Sequence, residues 1–346
     1  MTLVLGEVGA RVWVAMRWQK DRIALLTTHS TERGRFACHP NLPFALNPAW
    51  PDHNEFGCRG PAIAQKKPQG VQRVACIGAS TTYGLFVSAA DAYPSQLAKL
   101  LSAKHGPWEG INAGVPGYVS TETLTNFLLR ILPLEPDVVV VLLGRNEIFP
   151  ETYNGFRDDY SHFRRAGFNY TVSNYWHKEL FRISHLAMLV CTLGGERFGW
   201  SERAEHPLYG GIVWENQPTP AQVAVHVGDA SRLATLERSF ASILAVCQAR
   251  GIEVVVCTMA FLPQNFQKCE LEPGPQMQTL LDQLIDKNNE VARAVARRFG
   301  VPVVEGAKLR ERPDLFHDDC HMVAEGYRLR AQMVFDTLSP RLSARR

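Results

Sequence analysis

One short run constrains this chain more than any other: Asp137 to Leu143 reads Asp-Val-Val-Val-Val-Leu-Leu. A strand with no polar face is buried on both sides, as in a parallel sheet covered by helices. Shorter apolar runs repeat the signal at Val71 to Ile77, Trp108 to Asn112, Glu253 to Thr258 and Val301 to Val304. Between them, helical spacing recurs over residues 91–105, 121–132, 221–250, 276–299 and 324–338. Strands alternating with helices predict an α/β fold, a doubly wound parallel sheet of five strands. Such sheets carry their functional loops beyond the carboxyl ends of the strands, where strand order reverses.

The candidate residues collect on that rim. Cys76-Ile77-Gly78-Ala79-Ser80-Thr81-Thr82-Tyr83-Gly84 places a serine where a strand gives way to a helix. Unpaired N–H groups and the helix dipole favour negative charge at such a turn, although serine is also a common helix cap. Near the C-terminus, Phe316-His317-Asp318-Asp319-Cys320-His321 supplies a carboxylate and an imidazole three residues apart. At that spacing Asp318 can reach Nδ1 of His321 and leave Nε2 to take the proton of Ser80. Asp319 and His317 are competing candidates for the orienting acid and the base. Asn146, just past the Asp137–Leu143 strand, can donate from its side-chain amide. Gly114, past the second strand, can bring its N–H close to a substrate. With the Ser80 N–H they form a candidate oxyanion hole. Arg145 and Tyr83 stand beside these groups as candidate substrate-binding side chains.

The order Ser80, Gly114, Asn146, His321 resembles the SGNH hydrolases, the GDSL-like lipases and acylhydrolases. Gly78-Ala79-Ser80 stands where that family often has Gly-Asp-Ser, and Asn112-Ala113-Gly114-Val115-Pro116-Gly117 looks like its glycine block. Gly144-Arg145-Asn146-Glu147 resembles its Gly-x-Asn-Asp block, and Asp318-Asp319-Cys320-His321 its Asp-x-x-His block. Segment 39–60 also resembles the arm that precedes the serine block in many bacterial members. The resemblance implies a Ser80–His321–Asp318 triad on a flavodoxin-like three-layer α/β/α fold, with no metal or organic cofactor. Two positions depart from the pattern. Ala79 replaces the common aspartate before the serine, and Glu147 replaces the aspartate after Asn146. For Arg145 the sequence leaves two readings open, recognition of an anionic substrate or a salt bridge to a neighbouring acid.

Composition excludes other classes. A net charge of +3 over 346 residues, with no dense Lys/Arg run among aromatics, gives no nucleic-acid footprint. No GxGxxG follows the first strand, which disfavours dinucleotide binding. The 8 cysteines form no CxxC pair and suit a reducing, cytoplasmic setting. No run reaches the length of a membrane span. Residues 5–26 read as an amphipathic helix packed on the domain in preference to one lying on a membrane. The expected organisation is an N-terminal helix and extended arm over residues 1–70, then a hydrolase domain over 71–346 with an insertion at 151–220. That insertion is rich in aromatics (Tyr153, Phe156, Tyr160, Phe163, Phe168, Tyr170, Tyr175, Trp176). It reads equally as a lid over the substrate, as a subdomain with its own small core, or as a contact in a homo-oligomer.

The expected activity is that of a serine esterase or deacylase forming an acyl-serine on an ester of a carbohydrate or small natural product. Acyl transfer by the same triad, and a non-catalytic binding protein on the same fold, are the alternatives.

Overall fold

The computed structural model describes residues 2–18, 35–164, 180–194, 212–265 and 275–344. Phe168, Tyr170, Tyr175 and Trp176 of the insertion lie outside the described residues. The chain divides into two compact units, Met1–Pro51 with Arg164–Ile212, and Asp52–Phe163 with Val213–Arg346.

In the smaller unit a helix spans Thr2–Arg17 and another His185–Gly194. Glu7 joins them: its carboxylate accepts from Ser184 Oγ at 2.8 Å and from the N–H groups of His185 and Leu186 at 2.9 and 3.0 Å. These are donors that a helix start leaves unpaired. Val14, Phe181 and Met188 form the small apolar core between the helices. Part of the expected extended arm is instead an antiparallel pair, β1 (Phe36–His39) and β2 (Leu42–Leu46). Among the described residues no helix is long and apolar enough to cross a membrane.

The larger unit holds the parallel sheet: β3 (Gln72–Gly78), β4 (Trp108–Gly114), β5 (Val138–Leu142), β6 (Glu253–Cys257) and β7 (Val303–Val304). Their order is β4-β3-β5-β6-β7, so the chain reverses direction across the sheet after β4. The reversal opens a crevice between the carboxyl ends of β3 and β5. Alternate residues of each strand serve opposite faces. Val74, Cys76, Val138, Val140 and Val255 pack under helices Tyr93–His105, Pro275–Phe299 and Ala324–Ala344. Ala75, Ile77, Val139, Val141 and Val256 pack with Phe127, Leu236, Phe240 and Ile243 on the other side. The result is the expected three-layer α/β/α architecture. Each fully buried valine contributes about 1.5–3 kcal/mol, which explains why β5 tolerates no polar residue.

Two expected helices are broken. The single helix expected over 221–250 is Pro220–Gly228 followed by Ala234–Ala249. Between them Asp229 Oδ1 accepts from the N–H of Ser231 at 3.0 Å and starts a separate 3-10 turn. The helix expected over 121–132 runs Ser120–Asn126, then widens to a π turn at Phe127–Ile131.

Candidate active site

The serine loop is built by glycine. β3 ends at Gly78, with φ 156°, where a Cβ would stand 2.4 Å from the Leu142 carbonyl of β5. That close approach turns the chain, and Ser80 opens a single helical turn, Ser80–Tyr83. Ser80 lies beside the switch crevice and is 8% exposed. A helix this short has little macrodipole, so the polarity at Ser80 comes from local N–H groups.

The histidine loop is closed by its own backbone. Phe316 pairs with Met322, and the His317 N–H donates to the His321 carbonyl at 2.8 Å. Asp318 Oδ1 accepts from the N–H groups of Cys320 and His321 at 2.9 and 2.7 Å, while Oδ2 sits 2.7 Å from His321 Nδ1. Burial raises the Asp318 pKa, but the His321 hydrogen bond and charge and the two N–H donors outweigh it and hold the carboxyl at about 2. An ionised Asp318 therefore places the imidazole proton on Nδ1 and leaves Nε2 as the acceptor. Ser80 Oγ and His321 share no hydrogen bond here; such contacts often tighten only with substrate bound.

Of the two competitors on this loop, Asp319 serves elsewhere. Its Oδ2 accepts from Arg145 Nε at 2.7 Å, and both side chains are buried. Arg145 also lies over the rings of Phe149 and Phe261, at 5.7 and 5.5 Å. Of the two readings left open for Arg145, the geometry supports the salt bridge and not substrate recognition: it is a buried tie between the asparagine loop and the histidine loop. The substrate-binding expectation for Tyr83 is corrected. It is 1% exposed, with its hydroxyl 3.1 Å from His53 Nε2 and the Arg59 guanidinium 4.4 Å from its ring centre. His317 is exposed, with its ring stacked on Phe86 at 4.0 Å.

Asn146 is half-buried and spends one amide hydrogen on the Tyr118 carbonyl at 2.8 Å, which leaves the second for a ligand. Gly114 is different. Its N–H donates to Asn112 Oδ1 at 3.1 Å, inside its own turn, so the structure does not present it as an oxyanion donor. Its lack of a side chain is instead a packing requirement, because a Cβ would stand 2.2 Å from the Tyr83 backbone nitrogen. Gly117, with φ 82°, is the glycine adjoining Tyr118 and hence the Asn146 corner.

Sequence reasoning also missed what holds the asparagine loop. Glu147 is fully buried and accepts from the N–H groups of Ser120 and, at 3.1 Å, Gly144. One turn on, Glu151 accepts from Asn288 Nδ2 at 2.9 Å. Burial pushes the Glu147 carboxyl up to about 7 against those hydrogen bonds. Burial and then the charge of Glu147 push Glu151 well above the ordinary carboxylate range. Glu151 Oε1 and Asn288 Oδ1 are buried without hydrogen-bond partners, and the Tyr160 side chain is buried beside them. A protonated Glu151 would give this cluster a donor that an ionised one lacks.

Asp318, Cys320 and His321 bring ligand atoms within 4.8 Å of one another. Two members of that set, Asp318 and His321, are already joined to each other through Oδ2 and Nδ1.

A family model described as the GDSL-like lipase/acylhydrolase family matches residues 76–329. No curated protein matches the chain. Among solved structures the chain is similar to a lipase/acylhydrolase from Enterococcus faecalis, at 14% identity over 78% of this chain and 96% of that one, TM-score 0.44. It is similar to an acetylxylan esterase from Geobacillus stearothermophilus, at 13% identity over 77% and 93%, TM-score 0.43. An alpha/beta hydrolase enzyme from the metagenome of Lake Arreo, Spain, shares 14% identity over 78% and 95%, TM-score 0.43.

Proposed function

The chain belongs to the GDSL-like lipase/acylhydrolase family, and we propose that it hydrolyses a carboxylic ester through an acyl-serine formed on Ser80. The reading is carried by the Asp318–His321 pair, joined at 2.7 Å with the acid ionised and Nε2 left as the basic nitrogen. Ser80 attacks the acyl carbon while His321 Nε2 takes the hydroxyl proton. His321 then gives that proton to the departing alcohol as the carbonyl re-forms. Water repeats the cycle and releases the acid. The Ser80 N–H and the second Asn146 hydrogen stabilise the oxyanion.

The substrate is an ester of a carbohydrate or small natural product. Cys58, Cys76, Cys191, Cys247, Cys257 and Cys320 are free thiols, which suits a reducing compartment, and we place the enzyme in the cytoplasm. A fluorophosphonate probe tests the nucleophile. Labelling should map to Ser80 and disappear in Ser80→Ala and His321→Ala; labelling of any other serine, or none in the folded protein, would remove the acyl-serine reading.

A further inference from the structure

Phe86 is the oddest residue on the rim. It is a large apolar side chain left 60% exposed, and its backbone sits at φ 69°, a region that residues with a Cβ rarely occupy. Strain of this kind persists only where the surroundings impose it. Here the imposing group is Arg59, itself buried. Its Nη1 donates to the carbonyls of Tyr83 and Gly84 at 2.9 and 2.6 Å, and its Nη2 to the Val87 carbonyl at 2.8 Å. Asp52 and the Tyr83 ring hold the guanidinium in place. One arginine thus grips the chain on both sides of Phe86.

The grip aims the ring at the histidine loop. Phe86 lies parallel to His317, with centroids 4.0 Å apart and planes 9° apart. The His321 ring is 5.5 Å away at 78°. In the proposed reaction His321 hands its proton to the leaving alcohol, which brings the alcohol up to His321.

We propose that the Phe86–His317 stack is the subsite for the alcohol portion of the ester, and that it selects alcohols carrying a flat ring face. This rests on the esterase reading and extends it to substrate class. An aromatic face takes a pyranose through its C–H edge or an arene by offset stacking. A small alkyl alcohol is too short to cover the platform and gains nothing from it. His317 covers one face of the Phe86 ring and backs it, so a ligand ring would meet the outer face of the stack.

Acetates of three alcohols test this: benzyl acetate, a mono-acetylated methyl pyranoside, and ethyl acetate as the ringless reference. Phe86→Ala should lower kcat/KM for a ring ester roughly three- to tenfold, mainly through KM, and change ethyl acetate less than about twofold. Phe86→Trp should keep the preference, and Phe86→Leu, of similar bulk but not flat, should lose it. Loss on the pyranoside identifies a sugar alcohol; loss on the benzyl ester alone identifies an aryl alcohol. An equal fall on all three esters, or no change on any, overturns the subsite. Binding is read independently on Ser80→Ala protein by saturation-transfer NMR with benzyl alcohol and the free methyl pyranoside. Contact signals abolished by adding Phe86→Ala would uphold the platform even if no ester were turned over. Turnover without any such contrast would uphold the esterase and remove the platform.

Discussion

Arg145 Nε donates to Asp319 Oδ2 at 2.7 Å, between residues 174 positions apart in the chain. The bond joins the loop after β5, which carries Asn146, to the loop that carries Asp318 and His321. Its two residues are each immediate neighbours of a proposed active-site group. A buried ion pair contributes little net stability, but removing one partner strands a charge. Asp319→Asn should therefore cost about 3 kcal/mol or more in unfolding free energy and lower kcat more than KM. Arg145→Met with Asp319→Leu, which removes both charges, should recover much of the stability and little of the rate. Thermal unfolding beside steady-state kinetics on the three proteins checks it. If the double variant were as unstable as the single, stranded charge would not be the cause.

Glu147 and Glu151 set a pH dependence of stability with a definite sign. The Glu147 carboxyl is raised from 4.5 to about 7 by burial. The folded protein then holds a proton that the unfolded chain has lost, and folding is favoured at the acid end. Its contribution is complete below 4.5 and drains away as the pH rises to about 7. Glu151, pushed well above the ordinary carboxylate range by burial and then by the charge of Glu147, contributes with the same sign. Arg232 is the nearby cation, bonded to the carbonyls of Glu151 and Tyr153 at 3.0 Å each, and not to either carboxylate. His162 faces the Pro150 carbonyl and His226 that of Thr152. Glu151→Gln should be close to neutral at about pH 5 and stabilising at about pH 8, flattening the slope. Denaturant midpoints across that range measure it, and an unchanged slope would assign the titration elsewhere.

Gly114 separates packing from catalysis. A Cβ there would meet the Tyr83 nitrogen at 2.2 Å, the Thr82 carbonyl carbon at 2.7 Å and the Ala79 oxygen at 2.8 Å, all of them backbone. Backbone cannot rotate aside as a side chain can. Gly114→Ala should lose about 3 kcal/mol or more, or fail to fold. Gly228→Ala, with nothing within 4 Å of the added carbon, should leave stability unchanged. Calorimetry of the pair decides it, and a well-folded, fully stable Gly114→Ala would refute the close approach.

The sheet was legible because burial on two faces leaves a mark in sequence that needs no tertiary knowledge. Val138 to Leu142 and Glu253 to Cys257 carry it almost residue for residue. The pairing of Asp318 with His321 was legible for a similar reason, since three residues of a turn determine their reach. Arg145 was harder. Its partner Asp319 lies on a loop whose position depends on the whole sheet order, and no local pattern separates a buried arginine from one facing a ligand. Tyr83 misled in the same way: adjacency to Ser80 in sequence said nothing of Arg59 and His53, which bury it. Gly114 was placed on the correct rim with the wrong duty, because a glycine needed for contact and one needed for its N–H look alike. The Arg59 grip on Tyr83, Gly84 and Val87 has no sequence signature at all, being three carbonyls met by one side chain.

The Asp318 prediction distinguishes orientation from charge. Its carboxyl is held at about 2, so the pair with His321 contributes to stability above the ordinary value of 3.8 and is lost only as the pH falls through about 2. Across the working range of an esterase it is therefore intact, and a fall in rate at mildly acid pH cannot come from it. Asp318→Asn preserves the size of the group but can donate to His321, which would move the imidazole proton to Nε2, where it must instead accept from Ser80. A rate loss of about ten thousandfold in kcat, with KM nearly unchanged, is the expectation. His321→Ala and Ser80→Ala should fall at least as far. Combining any two should add little, because the three act as one unit. A loss of less than about tenfold in Asp318→Asn would mean that another group orients His321. Measuring the variant across pH adds a second discriminator. If the wrong tautomer is the fault, raising the pH cannot restore the rate; if only a charge is missing, a more basic solution should recover part of it.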